Sequence, residues 1–323
     1  MAMERVPYLV GGGFEHTAEI MRAALAAATS GAEGIVLPGD FRAGPLPVPG
    51  TSIVVGPGNG LIRNSYGGGG SQTYAVRAPE QTELPIQATG SAGGRTDLII
   101  ARIDDPTYAG TEFDPVTYEA AKFEVVRGVP ASTRTAKQLN LGYPAIEIAR
   151  VTLPASTGTV TAEMITDLRR VALPRRERGL LTVYSTGSVG GVYGPPHPAT
   201  PEYNSWPFSP EARPTIYVPD WATRLQVVVN ISGAYYVPGS SEDSVLGLRT
   251  GFGGLGAQNG IAIETNKGRH HYSVIGTHSV AEAIRGTEQL LNVQAQQTRG
   301  DGTFYGDYQT SIGIDYEFSE VAD

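Results

Sequence analysis

The sequence predicts a mainly β protein in two parts: an N-terminal mixed β module with short helices and Gly/Pro-rich loops, and a C-terminal antiparallel β-sandwich that is jelly-roll-like. Glycine (42) and proline (23) are frequent among the 323 residues and only 17% of residues are charged, which favours turns and short strands over long helices. After residue 180, nearly every apolar run is short and β-rich. The last run alternates Ile312, Ile314, Tyr316 and Phe318, so that four apolar side chains share one face of a strand.

Two helices are predicted in the N-terminal part. The first covers residues 15–30, where apolar residues recur at helical spacing after Thr17, a suitable N-cap, and Gly31 is placed to end the helix in the left-handed conformation. The second covers residues 161–170, with Thr161 as N-cap, an acidic residue in the first turn and two arginines near the C-terminal end of the helix dipole.

The predicted strands are short throughout the chain. In the N-terminal part they are residues 52–55, 73–77, 97–103, 121–127 and 145–153, separated by Gly and Pro breakers. In the C-terminal part they are residues 180–184, 215–218, 225–231, 245–249, 272–275, 290–295 and 311–318. This spacing of strands and turns is typical of a sandwich of two antiparallel sheets.

The length of the chain favours two domains over one. We place the N-terminal domain at residues 1–173, a linker at 174–179 and the C-terminal domain at 180–323. The linker reads Pro-Arg-Arg-Glu-Arg-Gly, which is charged and breaks the periodicity. Its arginines could form a basic patch for phosphate, but the segment is short and is interrupted by Glu177, which favours a solvated linker or an interface hinge.

Composition excludes several classes of function. A net charge of -8 and a pI near 5.2 argue against a nucleic-acid binder and against attraction to anionic membranes. The absence of cysteine removes disulfides, thiolate nucleophiles and Cys-ligated zinc. No segment has the roughly 20 apolar residues of a membrane span or the pattern of a signal peptide. We therefore expect synthesis in the cytoplasm and no membrane insertion.

Catalytic motifs are absent, so we expect neither an enzyme nor a cofactor. The sequence contains no Gly-x-Ser-x-Gly nucleophile elbow, no His-Glu-x-x-His helix and no P-loop. Residues 251–256, Gly-Phe-Gly-Gly-Leu-Gly, formally match the dinucleotide fingerprint. They lie among predicted strands, however, and no helix follows whose N-terminus could hold a pyrophosphate.

Two groups of potential metal ligands are present, and we expect neither to bind a metal. His270 and His271 are adjacent and would point to opposite sides of a strand, and His278 does not repair this geometry. The acidic group Asp104, Asp105, Glu112 and Asp114 could hold calcium. It lacks the alternating ligand spacing of a calcium loop, and an Asp-rich turn explains it better.

Aromatic residues gather in the predicted loops between residues 193 and 221. Trp206, Trp221 and Tyr203 are the candidates for stacking on a glycan, because an exposed aromatic face on a sandwich loop suits a sugar ring. Packing in the core or at a subunit interface explains them more readily. The Arg-Gly-Asp tripeptide at residues 299–301 is interpreted as a hairpin tip.

Four segments, in this order, resemble a module of minor tail or baseplate proteins of phages that infect actinobacteria. They read TDLIIARIDDP at residues 96–106, FEVVRGVPA at 123–131, ARVTLPASTG at 149–158 and ITDLR at 165–169. The predicted first helix and the Gly/Pro-rich stretch after it are also similar to the start of that module. The resemblance covers about residues 14–176, and residues 180–323 contain no comparably specific string.

The resemblance implies a structural protein of the virion tail, assembled with cyclic symmetry as a homo-oligomer, expected to be a trimer, together with other tail proteins. It brings no catalytic residues. Two alternatives stay open. A carbohydrate-binding module would expose Trp206 and Trp221 on one face, and a glycan-degrading enzyme would need two carboxylates roughly 5 to 10 Å apart across a groove. Any contact with a host-surface glycan is expected in the C-terminal part.

Overall fold

A computed structural model describes residues 10, 12–13, 15–110, 113–184, 204–206, 214–238, 244–257, 261–265, 267–299 and 303–322. The chain divides into two compact units. Unit 1 comprises Met1–Pro174 and Val321–Asp323, and unit 2 comprises Arg175–Glu320. Both units are built mainly from antiparallel sheets with few helices, which confirms the predicted fold class. No helix among the described residues is long and apolar enough to cross a membrane.

The described residues of unit 1 form three antiparallel sheets and short helices. Its elements are α1 (Ala18–Ala28), β1 (Gly34–Ile35), β2 (Ala43–Pro45), β3 (Ser52–Val55), β4 (Gly58–Arg63), β5 (Thr73–Ala78), β6 (Thr82–Pro85), β7 (Arg95–Ile103), α2 (Pro106–Ala109), β8 (Ala121–Val126), β9 (Ala145–Leu153) and β10 (Ile165–Asp167). The sheet orders are β1-β4-β5, β2-β3-β6 and β10-β9-β7-β8.

The four-stranded sheet forms the centre of unit 1 because both of its faces are covered. On one face, Ile99 and Ile148 pack with Ile53 and Ile62 of the two smaller sheets. On the other face, Leu98 and its neighbours pack against the segment that follows β8. A strand buried on both faces has a nearly continuous apolar sequence, which fits β7. In β9 the alternation breaks at a β-bulge, because Ile99 pairs with Ala149 and Ile100 with Glu147, so that Ile148 is the extra residue.

Helix α1 confirms the first predicted helix. The Oγ1 atom of Thr17 accepts a hydrogen bond from the Ile20 N–H at 3.2 Å, and Gly31, at φ +66°, donates its N–H to the Ala26 carbonyl at 2.8 Å. Polar contacts anchor the helix, since the Arg22 Nε donates to Gln72 Oε1 at 2.7 Å. Both helix ends therefore follow from local sequence.

The second predicted helix, over residues 161–170, is wrong. Only Ala162–Met164 form a 3-10 turn, after which β10 pairs with β9, with Ile165 opposite Val151. Two interactions outweigh the helical signals. The edge of β9 offers backbone partners to a β-branched segment, and the buried Arg169 guanidinium donates to the carbonyls of Pro38 at 2.9 Å and Asp40 at 2.7 Å.

In the part of the chain that the structure describes, unit 2 is an eight-stranded jelly roll. Its strands are β11 (Arg176–Tyr184), β12 (Asn204–Trp206), β13 (Thr215–Tyr217), β14 (Arg224–Val237), β15 (Ser244–Phe252), β16 (Leu255–Gly256), β17 (Ile261–Thr265), β18 (Gly268–Ser279), β19 (Glu288–Arg299), β20 (Thr303–Tyr305) and β21 (Ser311–Ser319). Three strands are interrupted, because two consecutive segments pair with the same neighbouring strand. They are β12 with β13 along β19, β16 with β17 along β15, and β20 with β21 along β14. If each interrupted strand is counted once and the strands are numbered 1 to 8 along the chain, the sheet β11-β21-β14-β18 has the order 1-8-3-6. The sheet β12-β19-β15-β16 has the order 2-7-4-5, and together these are the strand orders of a jelly roll.

One apolar core joins the two sheets of the jelly roll. Val229 and Ile314 from the first sheet pack with Leu248 and Val293 from the second. The predicted apolar face of the last strand is confirmed, because Ile312, Ile314 and Phe318 are buried in this core and Tyr316 packs against it. The weakly helical residues 280–285 form only a 3-10 turn, Glu282–Ile284.

The segment expected to be a linker is mostly strand. Residues Arg176 to Gly179 begin β11, which pairs with β21 along its full length of 9 residues. Its arginines are not a phosphate patch. Arg178 is paired with Asp315, and Arg176 Nη1 lies 3.4 Å from Glu317 Oε1, as diagonal cross-strand pairs. Gly179 leaves room for the ring of Tyr316, since a Cβ there would lie 2.3 Å from the tyrosine hydroxyl.

The two sheets approach closely at Gly276 of β18. A Cβ at this position would lie 1.8 Å from Thr250 Oγ1 of β15. Thr250 Oγ1 is in turn 2.8 Å from Nε2 of the buried His278, so a polar bond connects the two sheets. Burial lowers the pKa of His278 below its usual 6.5, because an apolar environment disfavours the charged imidazolium.

We predict that Gly276→Ala destabilises unit 2 by about 1–3 kcal/mol, the range for overpacking a filled core. Gly313→Ala in the same sheet is the matched control, since its Cβ would meet nothing within 4 Å. Both tryptophans, Trp206 and Trp221, belong to unit 2, so tryptophan fluorescence during urea unfolding reports this unit. Equal midpoints for the two variants would contradict the close approach.

We also predict that unit 2 loses stability as the pH falls below about 6.5. Unfolded His278 binds a proton near its usual pKa, whereas the folded, buried ring resists protonation, so acid favours the unfolded state. His278→Gln should flatten this part of the profile of unfolding free energy against pH. His271→Gln, at an exposed position on the same strand, should leave it unchanged.

Candidate functional site

The candidate site lies at one end of unit 2. At the base of the jelly roll, Ser319 is paired with both Arg176 and Arg224. At the opposite end, called the tip, Ser311 is paired with both Tyr184 and Ser232. The chain enters and leaves unit 2 at the base, where Arg175 Nη2 and Glu320 Oε1 are 2.7 Å apart. The tip is where β14, β18 and β20 extend beyond the ends of β11 and β21.

A β-bulge at Gly233 shapes the tip. The register between β14 and β18 shifts between Ser232 and Ala234, and Gly233 adopts φ +73°, a conformation that favours glycine. A Cβ there would lie 2.4 Å from the Gln309 carbonyl oxygen. Because this side chain is missing, the segment before β21 packs directly on the bulge, and the Gly233 carbonyl accepts a hydrogen bond from Thr310 Oγ1 at 3.3 Å.

An ion pair sits on the bulge. Arg269 Nη1 and Nη2 donate to the two carboxylate oxygens of Asp307 at 3.0 and 2.7 Å, and Nη1 also donates to the Gly233 carbonyl at 2.5 Å. Asp307 additionally accepts from the Gln309 N–H at 2.9 Å. The hydrogen bonds from Arg269 hold the pKa of Asp307 below its usual value, and those to Asp307 raise the pKa of Arg269.

Two tyrosines flank this ion pair. Tyr235 lies directly opposite Arg269 in the ladder, and the guanidinium carbon is 5.3 Å from the centre of its ring. Tyr308 follows Asp307 in the chain and is 64% exposed. The tip therefore presents an exposed aromatic ring beside a rigid donor and acceptor pair. This combination suits a polyhydroxylated ligand, whose hydroxyls can bond to the pair while its apolar face packs on the ring.

The chemistry of the tip favours binding over catalysis. Asp307 is ionised at neutral pH and is held by Arg269, so it does not serve as a general acid. In the described part of the chain, no group of three or more His, Asp or Glu side chains is placed to hold a metal ion.

The three aromatic residues predicted to contact a glycan are not brought together in the described structure. Trp221 lies near the base, where it packs against the core and has the Arg175 guanidinium carbon 5.4 Å from its ring centre. The backbone of Trp206 ends β12, but its side chain is outside the described part of the chain, as is the whole of Tyr203. Trp221 thus has the packing role that the sequence also allowed.

The residues that form the tip were missed by sequence reasoning. Arg269 and Asp307 are 38 positions apart, and no spacing rule links them. The only local signal was Asp307 followed by Thr310, a pattern that favours a turn closed by side-chain hydrogen bonds. What brings Arg269 to that turn is the jelly-roll order, which places β18 and β20 on either side of β14.

Several of the other candidate ligands have structural partners. Asp105 caps α2 by accepting from the Thr107 N–H at 2.9 Å and also accepts from the Tyr74 hydroxyl at 2.9 Å, whereas Asp114 caps a turn. Burial acts to raise the pKa of Asp105, but these hydrogen bonds outweigh it and lower the pKa. His270 stacks on Tyr272 with ring centres 5.7 Å apart. Glu112 and residues 300–301 of the Arg-Gly-Asp tripeptide are outside the described residues.

The glycine-rich residues 251–256 form a β-hairpin between β15 and β16. Gly253 and Gly254, at φ +58° and +84°, occupy the turn, as a two-residue hairpin loop with two positive φ angles requires. Glycine is therefore needed here for backbone conformation, and the next element that the structure describes is the strand β17, not a helix that could bind a pyrophosphate.

Comparison with known proteins identifies no family. No family model matches the chain, and no curated protein matches it. The solved structures that are similar include infectious bursal disease virus Gt strain, with 12% identity and a TM-score of 0.22 over 90% of this chain and 76% of that chain. The VP2 subviral particle of the same virus has 11% identity and a TM-score of 0.22 over 90% and 68%. These TM-scores are too low to establish a shared fold.

We predict that Asp307→Asn lowers the free energy of unfolding of unit 2 by about 1 kcal/mol. The Arg269–Asp307 pair is partly exposed, so its contribution lies between that of an exposed ion pair and that of a buried charged hydrogen bond. Urea unfolding followed by tryptophan fluorescence measures the change. Glu282→Gln, at an exposed position near the base, removes the same charge and should have no effect. Similar losses for both variants would show that net charge, not the ion pair, stabilises the tip.

Proposed function

We propose that this protein is a structural component of a bacteriophage tail tip or baseplate, located in the virion, and that the tip of its jelly-roll unit contacts the host surface. The observation that carries the proposal is the jelly-roll strand order of unit 2, closed by the pairing of β11 with β21. This architecture is used by viral structural domains and by lectins, and both uses fit an attachment protein. In this proposal the protein is not an enzyme.

Unit 1 supports the tail assignment through the placement of the segments that resemble tail proteins. Residues 96–106, 123–131, 149–158 and 165–169 contain all or part of β7, β8, β9 and β10. These are the four strands of one sheet, in the order β10-β9-β7-β8. The resemblance therefore follows one folded module rather than four unrelated stretches, and this module is the part that we assign to assembly with other tail proteins.

Self-association fits both the structural role in the tail and the contact with the host surface. We propose a homo-oligomer, a trimer as the resemblance implies, since closed rotational symmetry repeats one interface without leaving it open-ended. Several copies would also present several tips to one surface. Weak single contacts then combine through effective concentration, so a small polar site such as the tip suffices for attachment.

A carbohydrate-binding module is the second candidate function, and the tip favours it specifically. Exposed Tyr308 beside the Arg269–Asp307 pair is a suitable surface for a sugar. A glycan-degrading enzyme is less well supported. The acidic residues along the last part of unit 2 are engaged by arginines: Asp307 by Arg269, Asp315 by Arg178, Glu317 by Arg176 and Glu320 by Arg175.

We predict that Tyr308→Ala weakens binding of the full chain to purified actinobacterial cell-wall fragments by tenfold or more, about 1.4 kcal/mol, as loss of one aromatic contact would. The matched control is Tyr217→Ala, which removes a 52% exposed tyrosine nearer the base. Trp206→Ala tests the remaining candidate from the sequence.

The controls separate attachment from architecture. Circular dichroism and light scattering check that each variant keeps its β content and oligomer. If the parent chain binds no cell-wall fragment, or if Tyr308→Ala binds equally well, the attachment role is wrong. Antibody labelling of phage particles that carry the protein tests the tail location independently, and label on the capsid would overturn it.

A further inference from the structure

We propose that the free edge of β8 is an interface between two copies of this chain, in which the two β8 strands pair antiparallel about a two-fold axis at Phe123. This inference rests on the self-association part of the proposed function and is independent of any glycan binding. Because a two-fold interface links copies in pairs, it would join two of the proposed trimers rather than form one. Among the described residues, β8 is paired on one side only, with β7. An edge strand of this kind presents unpaired N–H and C=O groups that a second strand can use.

The hydrogen-bonding pattern shows which residues face outward. The Asp104 N–H donates to the Ala120 carbonyl at 2.8 Å, just beyond the β7–β8 ladder. In an antiparallel pair such bonds recur at every second residue. Residues 122, 124 and 126 therefore direct their backbone groups toward β7. Residues 121, 123 and 125 direct theirs away from β7, to the edge of the sheet, where no strand of the described chain pairs with them.

One register pairs all the outward-facing backbone groups of β8 and also sets opposite charges against each other. Pairing residue 123 with residue 123 of the second copy places all outward-facing groups opposite one another. The same register places Lys122 opposite Glu124 and Glu119 opposite Arg127. The two-fold axis makes each of these charge pairs occur twice in the interface. A shift of two residues in either direction keeps the hydrogen bonds but sets Lys122 against Lys122 or Glu124 against Glu124. Like charges directly opposite destabilise a sheet, and opposite charges stabilise it.

The side chains along this edge suit a partner strand. Phe123 and Val125 pack against the core of unit 1 but are only half-buried, as is Val126 on the other face. A second β8 would cover their exposed parts and set the two Phe123 rings side by side. Lys122 and Glu119 are exposed. Glu124 already accepts from Arg102 Nη1 at 2.8 Å, so the opposing lysine would complete an Arg–Glu–Lys network.

The absence of cysteine from the chain allows a direct test by cross-linking. In the proposed register residue 121 lies opposite residue 125 of the partner, with Cα atoms about 5.5 Å apart, within the range of a disulfide. The double variant Ala121→Cys/Val125→Cys should form a covalent dimer on mild oxidation. The single variant Ala121→Cys is the control, because two copies of residue 121 would be about 14 Å apart, too far for a disulfide.

Charge reversal provides a second test that does not depend on cysteine. Lys122→Glu should weaken self-association about tenfold, measured by sedimentation equilibrium, because two attractive pairs become repulsive. Lys267→Glu changes the net charge equally at an exposed position in unit 2 and should have no effect. Glu119→Arg and Arg127→Glu should each weaken association, and the two together should restore it.

The outcomes separate this interface from self-association in general. Oligomers that form normally but give no 121–125 cross-link, and that tolerate Lys122→Glu, would overturn the β8 interface while leaving the proposed assembly intact. A parent chain that stays a monomer of 34.1 kDa at micromolar concentration would overturn both. Lys122 would then be a charge that protects a free edge from pairing.

Discussion

The pairing of β11 with β21 is the interaction on which unit 2 depends. It joins the first and last strands of the jelly roll along 9 residues, so the first sheet cannot form until the whole unit has been made. Strand pairs this distant in sequence bring a large loop-closure cost. The pairing also sets the two ends of unit 2 side by side, with the Arg175 carbonyl accepting from the Glu320 N–H at 3.1 Å. Residues 321 and 322 then belong to unit 1.

Arginine–carboxylate pairs stabilise key positions of both units. In unit 1, buried Arg169 connects β10 with the turn before β2. In unit 2, Arg178 and Arg269 bind carboxylates on or before β21. A planar guanidinium can satisfy a carboxylate and one or two carbonyls at once, which a lysine ammonium does less specifically. This use of arginine suits a rigid particle component, because each pair connects strands from distant parts of the sequence.

The proposed functions use the two units differently. Unit 1 is assigned to assembly because its central sheet coincides with the segments that resemble tail proteins and because β8 leaves one edge of that sheet unpaired. Unit 2 is assigned to surface contact because its bulge at Gly233 positions Arg269, Asp307 and Tyr308 on a framework of paired strands. A binding site on a rigid framework loses little conformational entropy when a ligand binds.

The amino-acid sequence by itself determined the features that depend on near neighbours. The Thr17 cap, the glycine that ends α1, the strands rich in Ile and Val and the apolar face of β21 were all predicted, because period and capping act over a few residues. Tertiary structure alone decided the rest. The edge of β9 made β10 a strand, the backbone ladder with β21 turned an expected linker into β11, and the jelly-roll order brought Arg269 to Asp307. Each of these outcomes depends on a partner far away in sequence, and local propensity contains no information about it.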